Sequence, residues 1–192
     1  MPLFTHADGA ESSAESFTTA SLTPNGAFTP ATELEGDVST RIWLELARAV
    51  RTNHTHDPTP GDTVIIVDKT FARVLACHPG GHLILDDITE YDDKQAIPER
   101  WQWLCTKTDN FIGFRNLAED SFLGHDLWWN FAAQVTEQKG WEHFVLTKHQ
   151  NGYYIQSPFW WSLSPLSARS DGAGIEAVKS DGTLWGFIRV SE

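Results

Sequence analysis

"LGHDLWWNFAA", residues 123–133, lies without a gap over "LACHPGGHLIL", residues 75–85. The match extends outward. Val64, Leu75 and Leu83 are separated by 11 and 8 residues, and Ile112, Leu123 and Phe131 by the same 11 and 8. Phe131 to Trp141 is 10 residues, as is Ile175 to Trp185. Apolar positions that return at fixed separations mark units that bury their faces together. Each third closes on a tryptophan followed by an apolar run: "RWQWLCTK", "GWEHFVLTK" and "LWGFIRV". Leu83 to Trp101 is 18 residues, and the excess of eight falls in "DDITEYDDKQAIP", residues 86–98, which reads as an inserted loop.

From residue 62 onward the apolar runs are short and bounded by turn signals. "TVIIVD", "HLILDD", "NFIGFRN", "FWWSLS" and "LWGFIRV" are among about twelve candidate strands, and no helical pattern interrupts them. Three units of four strands predict an all-β protein, a β-trefoil over residues 61–192. Six of its strands form a barrel and three hairpins cap one end, so closure removes the sheet edges.

The chain before residue 60 has a different character. Residues 1–36 are rich in Ser, Thr, Ala, Pro and Glu, and such a segment buries too little area to offset the entropy of ordering. A disordered tail is predicted there. Residues 37–60 read as a short helix and a linker. Ser39 or Thr40 caps a helix of about residues 40–52, with Ile42, Trp43, Leu46, Ala47, Ala49 and Val50 on one face. "HTHDPTPGD", residues 54–62, has the prolines and glycine of a linker. Its His-x-His lacks further ligands at a metal-binding spacing.

Composition excludes several functions. The 192 residues carry a net charge of −12, which opposes nucleic acid and anionic membranes, since both attract clustered Lys and Arg. Two cysteines, Cys77 and Cys105, make no disulfide framework. No basic leader or long apolar run is visible, so a cytoplasmic, reducing setting is expected. No cofactor is expected either. The nine tryptophans are unusual, and a large ring with a polar edge suits both a core and a binding surface.

The repeat alignment turns that choice into a question about particular residues. Trp128 and Trp129 fall where the first repeat has Gly80 and Gly81, so the turn itself does not require them. Trp160 and Trp161 form a second unmatched pair. These rings either face a ligand or fill a satellite core under the N-terminal helix. His125, Asp126 and Asn130 flank the first pair. Asp and Asn at turns bond their own backbone, but beside tryptophan they also suit a sugar, whose hydroxyls take polar partners while its apolar face takes a ring. The ligand-binding set is therefore His125, Asp126, Trp128, Trp129, Asn130, Trp160 and Trp161. His125 and Asp126 would be the acid–base groups of an enzyme, although no Ser or Cys nucleophile is placed by any motif. Asp86, Asp87 and Glu90 in the inserted loop are weak magnesium candidates, because hard cations take oxygen ligands.

"FIGFRNLAEDSFLGHD", "NFAA" and "GWEHF" resemble the fascin-like, actin-cross-linking branch of the β-trefoils. The chain also resembles small single-trefoil proteins of filamentous fungi. The Q-x-W mark of ricin-type lectins does not recur. The first expectation for function is a module that binds a carbohydrate or hydrophobic small molecule through Trp-lined turns. The second is a small enzyme of fungal secondary metabolism that cyclises or isomerises a hydrophobic substrate in an aromatic-lined pocket. The resemblance implies a third, a protein-interaction module. Acidity opposes its actin form, since actin filaments are themselves acidic.

Overall fold

The computed structural model describes residues 55–88, 96–159, 161–180 and 182–190. The tail over residues 1–36 and the helix near 40–52 lie outside the described residues, as do Glu90 and Trp160.

Among the described residues twelve strands follow one another: β1 (Thr63–Asp68), β2 (Arg73–His78), β3 (His82–Asp87), β4 (Gln102–Thr108), β5 (Phe111–Asn116), β6 (Phe122–His125), β7 (Phe131–Val135), β8 (Val145–His149), β9 (Gly152–Phe159), β10 (Ser162–Ala168), β11 (Ile175–Ala177) and β12 (Trp185–Arg189). Six of them form a ring. β1 pairs with β12 and β4, β4 with β5, β8 with β9, and β9 with β12. The last gap is closed by Ile112 and Phe144, which exchange both main-chain hydrogen bonds at 3.0 and 2.8 Å. β2–β3, β6–β7 and β10–β11 are hairpins off this ring. This is the predicted β-trefoil of three four-strand repeats.

The repeats share a buried framework. Leu75, Leu123 and Leu166 open the three hairpins, opposite Leu85, Ala133 and Ala177. Cys77, His125 and Ala168 face Leu83, Phe131 and Ile175 one step further out. The ring is closed inside by Trp103, Phe144 and Trp185, paired with Val64, Ile112 and Tyr153. The indole N–H groups of Trp103 and Trp185 donate to the carbonyls of Leu75 and Leu166, so each buried ring keeps its one donor satisfied. Burial of the thiols pushes Cys77 to about 11 and Cys105 to about 12, which leaves both as core packing groups.

β1 reads as a continuous apolar run because it is covered on both faces. Val64 and Ile66 enter the main core, while Ile65 and Val67 join a second cluster with Val74, Ala76, Ile97, Trp101 and Ile188. The end of the inserted loop therefore roofs the first repeat. Residues 55–62, expected as a linker, are fastened to the barrel. Asp62 accepts from His56 at 2.9 Å and from the Thr59 hydroxyl at 2.6 Å, and pairs with Arg189 at 3.1 Å.

One expectation about the framework is corrected. The sequence aligned Trp101, Trp141 and Trp185, but the residues equivalent to Trp185 are Trp103 and Phe144. The second repeat has three more residues between hairpin and closing strand than the third. The shared interval of 10 was a coincidence of residue type. Phe144 takes the core position, and Trp141 is released to the surface with 46% of its area exposed.

Candidate functional site

The tip of the β6–β7 hairpin is a built turn. Trp129 N–H donates to the Asp126 carbonyl at 3.1 Å, and Asp126 N–H to the Asn130 carbonyl at 3.1 Å. Asp126 Oδ1 accepts from the main-chain N–H groups of Trp128 and Asn130 at 2.8 and 2.9 Å, and Oδ2 from Asn130 Nδ2 at 2.8 Å. Bonds from Asn130 hold the Asp126 carboxyl below its ordinary value. Asp and Asn here do what turn residues do, and the result is a stiff edge.

Trp129 sits at φ +65°, at the position where Gly81 of the first repeat has φ +79°. A left-handed backbone at a bulky residue is strained. Its ring lies on the buried His125 imidazole, with centroids 4.3 Å apart and planes 17° from parallel. Trp128, one residue earlier, is 79% exposed. The pair is thus split, with one ring packed and one open. His125 is held through both nitrogens: Nδ1 against the Asp126 carbonyl at 2.8 Å and Nε2 against the Ser157 hydroxyl at 2.8 Å. A carbonyl can only accept, so Nδ1 carries the proton and Nε2 takes the Ser157 hydroxyl. The side chains of His125 and Asp126 are not bonded to each other: the imidazole is held by a main-chain oxygen and a serine, and the carboxylate by turn N–H groups and Asn130.

Below this tip runs a groove between the hairpin and the short 3-10 turn Gly140–Glu142. One part, of about 330 Å³, is lined by Phe122, His125, Asp126, Asn130, Trp141 and Glu142 among others. A larger, more open part of about 720 Å³ continues along Gln134, Val135, Glu137, Lys139, Trp141 and Glu142. β6 and β7 slip register between Phe122 and Leu123, and such bulges re-aim side chains beside sites. Gln134, next to the slip, lines both parts. Gly124 lies beneath. A Cβ there would come within 2.7 Å of Glu142 Oε1, so any other residue would shift that side chain from its place against β6.

The groove unites three predicted residues, His125, Asp126 and Asn130, with residues the sequence reading did not select. Neither Trp128 nor Trp129 lines it. Trp161 is 95% exposed in the turn between β9 and β10, not inside a strand as expected. Trp141 and Glu142 were missed because Trp141 was counted as framework. The signal was present in "GWEHF", where Phe144 competes for the core position.

The first and third repeats place different side chains at the position that Glu142 holds in the second. Trp101 stands where Glu142 stands, fully buried, with its indole N–H on Asp86 at 2.7 Å. Arg100 and His78 also bond Asp86, at 3.0 and 2.8 Å. Asp86, expected as a weak magnesium candidate, is the shared partner of these three side chains. Asp87 ends β3 beside it, and among the described residues no three His, Cys, Asp or Glu side chains converge as a ligand set. In the third repeat, Thr183 takes the place of Glu142. It is buried and bonded to Ser167 and Ala168, and Gly182 beside it packs on Pro165. No helix among the described residues is long and apolar enough to cross a membrane.

No protein-family model matches the chain, and no curated protein matches it. Solved structures do. The Macrolepiota procera ricin B-like lectin, solved in complex with lactose, superposes with a TM-score of 0.57 at 15% identity, over 70% of this chain and 99% of that one. The Polyporus squamosus lectin, solved with Neu5Acα2-6Galβ1-4GlcNAc, gives 0.54 at 11%, over 69% and 50%. The GlcNAcα1-4Gal-releasing endo-β-galactosidase of Clostridium perfringens gives 0.57 at 11%, over 68% of this chain and 33% of that one. The chain therefore spans about a third of that galactosidase and half of the Polyporus lectin. At these identities the likeness is one of fold, and the chain is a β-trefoil.

Proposed function

We propose that the chain is a carbohydrate-binding module and that the sugar sits in the second repeat's groove, with its apolar face on Trp141. The half-exposed Trp141 ring in a polar-edged groove is the observation that carries this reading. A sugar ring offers C–H groups on one face and hydroxyls around its rim, and sites for such ligands pair a flat apolar wall with a few fixed polar groups. Asn130, Asp126, Gln134 and Glu142 supply the polar groups. Because Asp126 and Asn130 are already cross-bonded, little side-chain entropy is lost when a ligand arrives. The likeness in fold to lectins solved with lactose and a sialylated trisaccharide supports the same reading.

A glycan array followed by calorimetric titration of the best binder tests it. Trp141→Ala abolishes binding, and Trp161→Ala leaves it intact. Absence of saccharide binding, or equal affinity in Trp141→Ala, overturns the proposal. A second reading, protein contact of the fascin-like kind, is favoured by the exposure of Trp128 and Trp161 outside the groove. It requires that these two substitutions weaken a protein complex and spare sugar affinity.

A further inference from the structure

Glu142 is 6% exposed, yet it lines both parts of the groove. Its Oε2 accepts the main-chain N–H of Lys139 at 3.1 Å. Its Oε1, held against β6 by Gly124, receives no bond from any described residue, and it is not among the buried atoms sealed off without a partner. Lys139, whose main-chain N–H holds Oε2, turns its ammonium to Glu137 at 2.7 Å. The fold thus carries a nearly buried carboxylate with one oxygen left open to the groove.

A carboxylate withdrawn from water is stabilised most by a cationic donor. Charge-assisted N–H⁺ to O⁻ bonds are about twice as strong as neutral ones. Trp141 adds a second preference of the same sign, because the face of an indole attracts a positive charge. Asp126, Glu137 and Glu142 line the same groove with one lysine, Lys139, so its local charge is still negative and repels acidic sugars. We propose that the groove selects an amino sugar with a free, unacetylated ammonium group, whose –NH3⁺ meets Glu142 while the ring lies on Trp141. This rests on the reading of the groove as a sugar site.

The test is titration with a fully deacetylated glucosamine trimer and with its fully N-acetylated counterpart, at about pH 6, where such amines are protonated. The deacetylated trimer binds about tenfold tighter or more. The preference shrinks as salt is raised, while affinity for the acetylated trimer stays level, because only the charged contact is screened. Glu142→Gln keeps the side chain's size and removes the preference. The salt series on the unaltered chain carries the test even if that variant does not fold. Equal affinities for the two trimers, or tighter binding of the acetylated one, overturn the proposal and leave the sugar site standing. No binding by any saccharide overturns both.

Discussion

Replacing Trp129 by glycine should be less damaging than replacing it by alanine, the reverse of the usual order. Trp129 holds φ +65°, and this geometry costs an L-residue about 1–2 kcal/mol. The ring offsets that cost by stacking on His125, a contact worth about 0.5–1.5 kcal/mol beyond the area it buries. Deleting a fully buried tryptophan costs about 3–5 kcal/mol, and Trp129 is only partly buried, so loss of the ring should cost about 2–3 kcal/mol. Trp129→Ala loses the ring and keeps the strained Cβ. Trp129→Gly loses the same ring and regains about 1 kcal/mol of backbone strain. Urea unfolding of the three proteins, with a common slope, reads the difference directly. At an ordinary strand position glycine would be the worse residue by about 0.5–1 kcal/mol. If Trp129→Ala is as stable as Trp129→Gly, or more so, the left-handed turn argued from the Gly81 equivalence is wrong.

Trp128→Ala and Trp161→Ala should each change unfolding free energy by less than about 0.5 kcal/mol in the same assay, because both rings are largely in solvent. Asp62 should give the fold an acid-sensitive fastening. Burial raises its pKa, but bonds from Thr59 and His56 and the charge of Arg189 outweigh burial and bring it to about 2, below its ordinary 3.8. A depressed carboxyl contributes stability above its unfolded value and loses it as pH falls through the folded one. On the order of 1–2 kcal/mol should therefore disappear between about pH 4 and pH 2, after allowance for the solvent-facing Arg189. Asp62→Asn should flatten that part of a melting-temperature profile. Cys77 and Cys105 should resist a thiol-specific dye in the native protein and react together on unfolding, since burial keeps both protonated.

The fold was legible because a trefoil repeats itself. The intervals from Val64 to Leu75 to Leu83 and from Ile112 to Leu123 to Phe131 survive in the structure as equivalent positions on barrel and hairpin. The turn at Asp126–Asn130 was legible for a similar reason, since Asx chemistry is local. The groove was not. It depends on which aromatic in "GWEHF" enters the core, and that is set by the partner of Ile112 across the barrel, a contact between distant segments. Matching Trp to Trp placed Trp141 inside and hid the wall it forms. The bonds of Asp86 were not legible for the same kind of reason. Its partners Trp101 and Arg100 arrive from beyond the inserted loop, so its acidic neighbours in sequence gave no hint of the hub it makes.

The bonds at Asp86 bear on how many sugar sites of the proposed kind one chain can carry. A trefoil with three open grooves can hold three chain ends at once and cross-link whatever carries them. Here the equivalents of Glu142 in the first and third repeats, Trp101 and Thr183, are buried and bonded, so on the proposed reading the carboxylate site exists once per chain. A module with one such site would coat a multivalent surface without clumping it, and would gain no avidity unless something else gathered several copies. Agglutination would then be silent for a protein that binds well.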